Sequence, residues 1–278
     1  MSVATRCAAL LDRDESAVPS AIMRIALVLL LWDRWASDFL FYKADTPFEW
    51  TIFVSYMVAT PLLLVGLFTN LAAWWTAATM LGVFYGLGVA NGVEPYTHHH
   101  TYLLTSFAVL IPLLPSGRAL SVDRWWSLRR AEKMGLPPPP ARGNTWAVPL
   151  IGLQLTSMYL WAAFDKCNWA FASGQRLHHI FQWYYGTADP IAIPGVEWIM
   201  VGMALGTIVG EVALALFPWS ARLRMPTLVF GVVFHGALFI SLPVGPFSAT
   251  VWAMYLAYLP AQQVEGWVRR GVGAAPRD

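Results

Sequence analysis

Apolar segments of about 20 residues, the length that a membrane-spanning α-helix needs, recur along the whole chain. Hydrophobic residues make up 57% of the 278 positions and charged residues only 12%, whereas a soluble domain carries roughly 25% charged residues. The sequence therefore predicts an all-α integral membrane protein, a single bundle of about eight transmembrane helices forming one domain over residues 1–278. The segments are 19–40, 48–69, 71–91, 99–115, 145–166, 196–217, 225–242 and 245–262.

The distribution of Lys and Arg predicts the orientation of these segments, because cytoplasmic loops carry an excess of basic residues. Most of the 18 basic residues fall in alternate connections, which places both termini in the cytoplasm. The basic residues of these connections are Arg6, Arg13, Arg118, Arg124, Arg129, Arg130, Lys133, Arg142, Arg222, Arg224, Arg269, Arg270 and Arg277, whereas Lys43 and Arg176 fall on the outer side. The start "MSVATRCAALLDRDES" lacks the apolar core of a signal peptide, so the first segment is expected to stay as a membrane helix.

Several classes of protein do not fit this composition. The formal net charge of +2 does not favour a nucleic-acid partner. Cys7 and Cys167 are far apart, so neither a disulfide framework nor a thiolate metal site is indicated. The connection "NLA" is short enough to predict an antiparallel hairpin of the second and third segments, and the run "LPPPPARGN" cannot be helical throughout.

Polar residues inside the apolar segments are costly in a bilayer and usually functional. The predicted orientation places Arg34, Asp38, His98–His100, Asp165 and Lys166 in the outer half of the membrane, followed by Arg176, His178 and His179. It places His235 near the middle of its segment and Glu211 towards the inner half. We therefore expect one polar pocket that opens towards the outer leaflet.

Each of these residues also has a structural interpretation. Lys166 fits a lysine that extends from a helix end to the membrane surface, and Arg34 with Asp38 fits an intrahelical pair. Glu211 fits a buried strut that is protonated or paired. His235 fits a polar contact between helices.

The six histidines raise the question of a metal site. A di-iron site of the desaturase type needs several histidine boxes, and adjacent helix positions diverge by about 100°, so His98–His100 cannot bind one metal through a single face. A mononuclear site with one histidine from each group stays open.

Local patterns in several segments resemble one family, the membrane domain shared by vitamin K-dependent γ-glutamyl carboxylases and the bacterial horizontally transferred transmembrane (HTTM) proteins. The similarity spans nearly the whole chain, in the family's order. The patterns are the arginine segment "IMRIALVLLLWDRW", the H-x-Y-L helix and S-V-D turn of "HTYLLTSFAVLIPLLPSGRALSVDRWW", the lysine helix "YLWAAFDKCNWAFASG", the glutamate helix "IVGEVALALF" and the F-H helix "VFHGALFISLPVGPFSATVWAMYLAYL".

This resemblance implies catalytic roles for Lys166, His100, His99 and His235. Lys166 matches the family's catalytic lysine, which deprotonates vitamin K hydroquinone, and His100 matches a histidine near the quinone. The family often has asparagine where this chain has His99, and tryptophan where it has Phe171, a place that Trp169 could fill. We expect Arg34, Asp38, Tyr102, Trp169 and His178 to contact the substrate. The resemblance to the bacterial proteins places the chain in the cytoplasmic (inner) membrane of a bacterium.

The expected activity is O2-dependent epoxidation of a hydroquinone, either a small dihydroxyarene or a lipid quinol, without a metal or flavin. Burial in apolar surroundings favours the neutral form of an amine, which is how a lysine becomes a general base. Asp165 would oppose this only if it faced the same way, and adjacent helix residues diverge by about 100°. O2 is the only cofactor expected.

Three alternatives remain open at the level of sequence. The first is a carboxylase that couples epoxidation to CO2 addition on a small or partner-borne substrate. Only about sixteen residues follow the last segment, so no large soluble region, and hence no peptide carboxylation, is expected there. The second is a non-enzymatic membrane subunit that binds a quinone or lipid. The third is a histidine-bound metal oxidase. Whether a soluble or membrane partner protein takes part is also open.

Overall fold

The computed structural model describes residues 12–41, 44–186, 194–242 and 244–273. The sequence predictions also involve Arg6, Cys7, Lys43, Arg277 and the two chain ends, which lie outside these ranges. Within the described residues, four helical segments are long and apolar enough to cross a membrane. Each coincides with one of the predicted segments, so the prediction of an all-α membrane protein is confirmed at this level. They are Pro47–Val65, Thr69–Ala90, Val196–Trp219 and Arg224–Ser241.

The described chain is predominantly helical, with one short pair of strands. The strands are β1 (Asp14–Ser16) and β2 (Arg142–Asn144). The helices are α1 (Val18–Phe41), α2 (Pro47–Val65), α3 (Thr69–Leu81), α4 (His99–Leu110), α5 (Val122–Lys133), α6 (Val148–Lys166), α7 (Trp169–Ala172), α8 (Gln175–Tyr185), α9 (Val196–Leu216), α10 (Arg224–Ser241), α11 (Phe247–Met254) and α12 (Ala261–Gly271). α3 continues as a π-helix over Gly82–Ala90.

The helices pack into two compact units. The first comprises Met1–Gly152 and Gly245–Asp278, and the second comprises Leu153–Val244. The expectation that the whole chain forms one domain stays a prediction.

In the first unit, three of the connections that the sequence places in the cytoplasm come together at one end. β1 pairs with β2 in antiparallel register, with Asp14 opposite Asn144 and Ser16 opposite Arg142. Helix α12 packs against β1 and α1. The basic connection before β2 and the segments next to both chain termini therefore share one end of this unit.

The predicted hairpin of the second and third segments is confirmed, since α2 and α3 pack together across a turn of three residues. Helix α2 begins with a capping box, in which Thr46 Oγ1 accepts a hydrogen bond from the Glu49 amide and Glu49 accepts one from the Thr46 amide. It ends at Gly66, whose φ of 69° is favourable only for glycine. A Cβ at Gly66 would also lie 2.4 Å from Ser121 Cβ, so the turn has no room for a side chain.

Two predicted segments are shorter as α-helices than the sequence indicated. α4 ends at Leu110 and tightens into a 3₁₀ turn over Ile111–Leu113, because Pro112 has no amide to donate. α11 likewise passes into a 3₁₀ turn over Tyr255–Tyr258. The "LPPPP" run lies between α5 and β2 and is not helical, as predicted.

The second unit exposes much of its apolar surface. Only 33% of the apolar window of α9 and 22% of that of α10 is buried. Soluble monomers rarely expose apolar patches larger than a few hundred Å², so lipid is the solvent that fits this surface. A sharp turn at Gly174 (φ 77°) precedes α8 and packs directly against the α9 backbone at Met200 and Val201.

Candidate active site

Lys166, the last residue of α6, forms an ion pair with Glu211 of α9. Its Nζ donates a hydrogen bond to Glu211 Oε1 at 2.9 Å and another to the carbonyl of Ala162 at 3.2 Å. The Lys166 side chain is 24% exposed and that of Glu211 only 9%. The ammonium also lies 5.8 Å from the ring centroid of Phe171, within the range of a cation–π contact. Lys166 is thus held inside its unit by three neighbours.

The pair lies level with the interior of an apolar span. Thr156 Oγ1 on α6 donates to the carbonyl of Ala215, so α6 and α9 run antiparallel past each other. At 1.5 Å per residue, Glu211 is about 22 Å from Val196 and about 12 Å from Trp219, the two ends of that span. The Lys166 ammonium is directed to Glu211 within its unit, and its distance from a membrane surface stays a prediction.

The sequence prediction separated Glu211 from Lys166 in depth, and this is wrong, because the two side chains are in direct contact. Glu211 lies nearer to the Trp219 end of its span, and the placement of that end towards the inner leaflet stays a prediction. The prediction counted depth as if all helices started in one plane. In the structure α6 ends at Lys166, level with Glu211 in the second half of α9, and the chain continues through α7 and the Gly174 turn before it reaches the level of Met200. The interpretation of Glu211 as a paired group is confirmed.

The second oxygen of the carboxylate has no protein partner. Glu211 Oε2 is buried and has no hydrogen-bond partner among the described residues. A buried charged oxygen without a partner is unfavourable. Glu211 can therefore accept one further hydrogen bond, or a proton, at a position next to the Lys166 amine.

Asp165 does not compete for Lys166. Asp165 is exposed, whereas Lys166 turns inward to Glu211. The expected divergence of these adjacent residues along the helix is confirmed.

A second polar pair lies on the same face of α6, two turns before Lys166. Tyr159 Oη and His235 Nε2 of α10 are joined by a hydrogen bond of 2.7 Å, and both side chains are buried. Residues seven apart are separated by about 10 Å along a helix. The interpretation of His235 as a polar contact between helices is confirmed. Its partner Tyr159 was not predicted, although its spacing of seven from Lys166 was a usable signal.

The remaining candidates of the second unit lie on the short helices. Trp169, the first residue of α7, is strongly exposed. On α8, His178 is half-buried and its Nε2 has no hydrogen-bond partner within the described residues, whereas His179 is exposed. Contact of Trp169 or His178 with a substrate stays a prediction.

In the first unit the structure joins Arg34 to both Asp38 and His100. Arg34 forms the predicted intrahelical pair with Asp38, at 3.7 Å between Nη1 and Oδ2, and its Nε donates to His100 Nε2 at 3.3 Å. These contacts bring the three residues together, whereas their depth in the membrane stays a prediction. Because a guanidinium only donates, His100 Nε2 is the acceptor of this hydrogen bond.

The rings of the three adjacent histidines contact one another. His98 stacks on His100 with 5.3 Å between centroids, and His99 meets His100 and Phe247 edge to face. Tyr102 is exposed and its ring lies 5.9 Å from that of Phe84. Across the ranges that the structure describes, no three His, Cys, Asp or Glu side chains are grouped as a metal ion requires.

Comparisons of the chain with protein families, with curated proteins and with solved structures find no match. The resemblance to the carboxylase-like membrane domain rests on the sequence patterns alone.

Proposed function

We propose that this chain is a membrane-embedded oxidoreductase that uses O2 to epoxidise a hydroquinone, and that Lys166 starts the reaction by deprotonating a substrate hydroxyl. The observation that supports the proposal is the buried Lys166–Glu211 pair, 2.9 Å between Nζ and Oε1. A general base must accept a proton, and a protonated lysine can do so only after it has transferred its own proton to another group. Glu211 is the group that can receive this proton.

The pair holds one proton that can lie on either partner. With the proton on Lys166 the pair is ionic, and with the proton on Glu211 it consists of a neutral amine and a carboxylic acid. In apolar surroundings the neutral arrangement gains relative to the ionic one, because burial penalises charge. The amine then accepts the hydroxyl proton of the substrate, and the ammonium that forms stabilises the phenolate by its charge and by hydrogen bonding.

The reaction is balanced with O2 as the only co-reactant. The hydroquinone anion adds O2 at a ring carbon to give a peroxide anion, which attacks the neighbouring carbon. The O–O bond breaks, one oxygen stays as the epoxide, and the other leaves with the two hydroxyl protons as water. Hydroquinone and O2 thus give quinone epoxide and water. The Tyr159–His235 pair, about 10 Å further along the same face of α6, would carry the second of these protons.

The proposal includes an arrangement of eight spans with both termini in the cytoplasm of a bacterium and the pair within its inner membrane. Besides the four spans described above, α1, α6, and the α4 and α11 helices with their 3₁₀ extensions would complete the bundle. Helix α1 carries Arg24, Asp33, Arg34 and Asp38, and these charges explain why it is less apolar than the four. Reporter fusions in the connections after residues 43, 91 and 134 test this arrangement, with the first two expected outside and the third inside.

The activity test is oxygen uptake by purified, EDTA-treated protein with a panel of hydroquinones, from menahydroquinone to simple dihydroxybenzenes. Products from ¹⁸O₂ are read by mass spectrometry. We expect a product one oxygen heavier than the quinone, and its loss in both Lys166→Ala and Lys166→Arg, since a guanidinium cannot act as the base. Glu211→Gln should lower the rate by the 10²–10⁴-fold that is typical of removing proton-transfer catalysis.

Matched variants make the result specific. Glu197→Gln, on the exposed first turn of α9, removes a carboxylate from the same helix and should leave the rate unchanged. Uptake that survives Lys166→Ala in untreated protein but disappears after EDTA treatment would replace the proposal by the metal oxidase. Product formation that requires bicarbonate and fixes its carbon would favour the carboxylase. Quinone binding without uptake across the panel would favour the binding subunit.

A further inference from the structure

Helix α5 is a charged, aromatic helix that the protein itself hardly covers. It has 12 residues, of which only Ala131 is buried. Trp125 and Trp126 are 54% and 46% exposed, and Leu128 is exposed as well. Isolated helices of this length are marginal in water, so a helix with two exposed tryptophans is expected to have a further contact surface.

The start of α5 is fixed at the turn between two membrane spans. The Asp123 carboxylate accepts hydrogen bonds from the amides of Phe68 and Thr69, at 2.9 and 2.7 Å, and from the Thr69 hydroxyl at 2.7 Å. The Asp123 amide donates in return to the carbonyl of Gly66 at 3.0 Å. Because this turn ends span α2 and begins span α3, α5 begins at the level of the membrane surface.

The exposed aromatic rings continue the apolar surface of that hairpin. Phe68, at the turn, is 60% exposed and its ring lies 6.2 Å from the ring of Trp126. Leu71 and Trp74 extend the exposed apolar surface into span α3. Tryptophan is enriched at the level of lipid headgroups, where its ring is partly apolar and its N–H is hydrated.

Basic side chains flank this aromatic surface, and only one of them is paired with a carboxylate in the described part of the chain. Arg129 lies over the Trp125 ring at 5.8 Å and pairs with Glu132 at 3.3 Å. Arg130 and Lys133 are exposed and form no ion pair with any residue in the described ranges. Tryptophan beside Lys and Arg on one exposed helix is the pattern of an interfacial helix that binds anionic lipid.

We propose that α5 lies in the headgroup region of the leaflet next to the α2–α3 turn and binds anionic phospholipid through Arg130 and Lys133, with Trp125 and Trp126 inserted beside Phe68. The occupant is the bilayer itself, because the helix begins at the membrane surface and its aromatic side is continuous with the hairpin. This inference does not depend on the proposed enzymatic activity.

Hydrogen–deuterium exchange of purified protein in lipid nanodiscs tests the proposal. The readout is the protection of amides in residues 122–136, compared between phosphatidylcholine discs and discs with about one third phosphatidylglycerol. A basic residue near an anionic surface contributes about fivefold in the equilibrium. We therefore expect the amides to be more strongly protected in the anionic discs than in the phosphatidylcholine discs. In the double variant Arg130→Gln with Lys133→Gln, this difference in protection should fall by about 25-fold.

A charge-matched control separates a local site from net charge. Arg222→Gln with Arg270→Gln removes two exposed basic residues from connections predicted on the same side and should keep the gain. Equal protection in both lipids, or an equal loss in the control, would overturn the proposal. Protection that appears in phosphatidylcholine only when two copies share a disc would assign the surface to a second copy of the chain and would also overturn it.

Discussion

Replacing the Lys166–Glu211 pair by an apolar pair should show whether the fold needs these charges. Breaking a buried ion pair by removing one partner typically costs 3–5 kcal/mol, because the other charge stays buried and unpaired. Lys166 is 24% exposed, and in a membrane protein the unfolded helices also find partners. We therefore expect Lys166→Met or Glu211→Leu alone to lower the free energy of unfolding by about 2–3 kcal/mol.

The double variant should recover most of this loss. Well-packed apolar residues of similar volume replace buried ion pairs at little cost or with a gain. Lys166→Met with Glu211→Leu should lie within about 1 kcal/mol of the wild type, which makes the coupling energy of the cycle at least about 3 kcal/mol. The double variant should nevertheless have no epoxidase activity, because it has no base.

Unfolding in mixed detergent–SDS micelles, followed by far-UV circular dichroism, measures the free energy of unfolding of the wild type, the two single variants and the double variant. The control cycle uses Arg129→Met and Glu132→Leu. These two residues form an exposed pair, 3.3 Å apart, with side chains 61% and 71% exposed. Its coupling should stay below about 0.5 kcal/mol, the value of surface pairs on a helix. If the losses at Lys166 and Glu211 are simply additive, the two residues do not interact and proton sharing between them has no basis.

Three further predictions concern positions with a specific structural role. Gly174→Ala should lower the melting temperature much more than Gly186→Ala, because both residues have positive φ but only at Gly174 would a Cβ lie 2.7 Å from the α9 backbone; thermal unfolding in detergent measures the difference. Asp123→Asn should cost about 1–2 kcal/mol in the same micelle titration, because an amide group keeps only one carbonyl oxygen to accept the bonds that join α5 to the hairpin. Tyr159→Phe removes the 2.7 Å bond to His235 and should cost about 1 kcal/mol; under the proposed mechanism it should also change the solvent isotope effect on turnover.

The helices were predictable because length and composition determine them in a bilayer. A run of about 20 apolar residues has few alternatives to a spanning helix, since every backbone amide must be paired internally. The hairpin at Gly66 followed from the shortness of its connection. The ends of α4 and α11 were placed too late, because Pro112 and the chain before Pro260 form 3₁₀ turns that an apolar count does not register.

The candidate site was only partly predictable. Lys166 stood out as a charge at the end of an apolar run, and the Arg34–Asp38 spacing gave its pair directly. The partner of Lys166 was missed because sequence position gives the order along a helix and not the offset between helices. That offset is set by where α6 ends and by how closely Gly174 approaches α9. Tyr159 is uncharged and did not stand out in the sequence. Its hydrogen bond to His235 is known only from the packing of the two helices in the structure.

The fold by itself gives no reason for the two charges at this depth. Each charged residue near the centre of a span disfavours insertion by about 2.5–3.5 kcal/mol on the insertion scale, and an apolar pair would fill the same space. What an apolar pair cannot do is exchange a proton. The Lys166–Glu211 pair has one oxygen still open to a hydrogen bond and an amine that its neighbour can neutralise. The proton transfer to a substrate that we propose would use both properties.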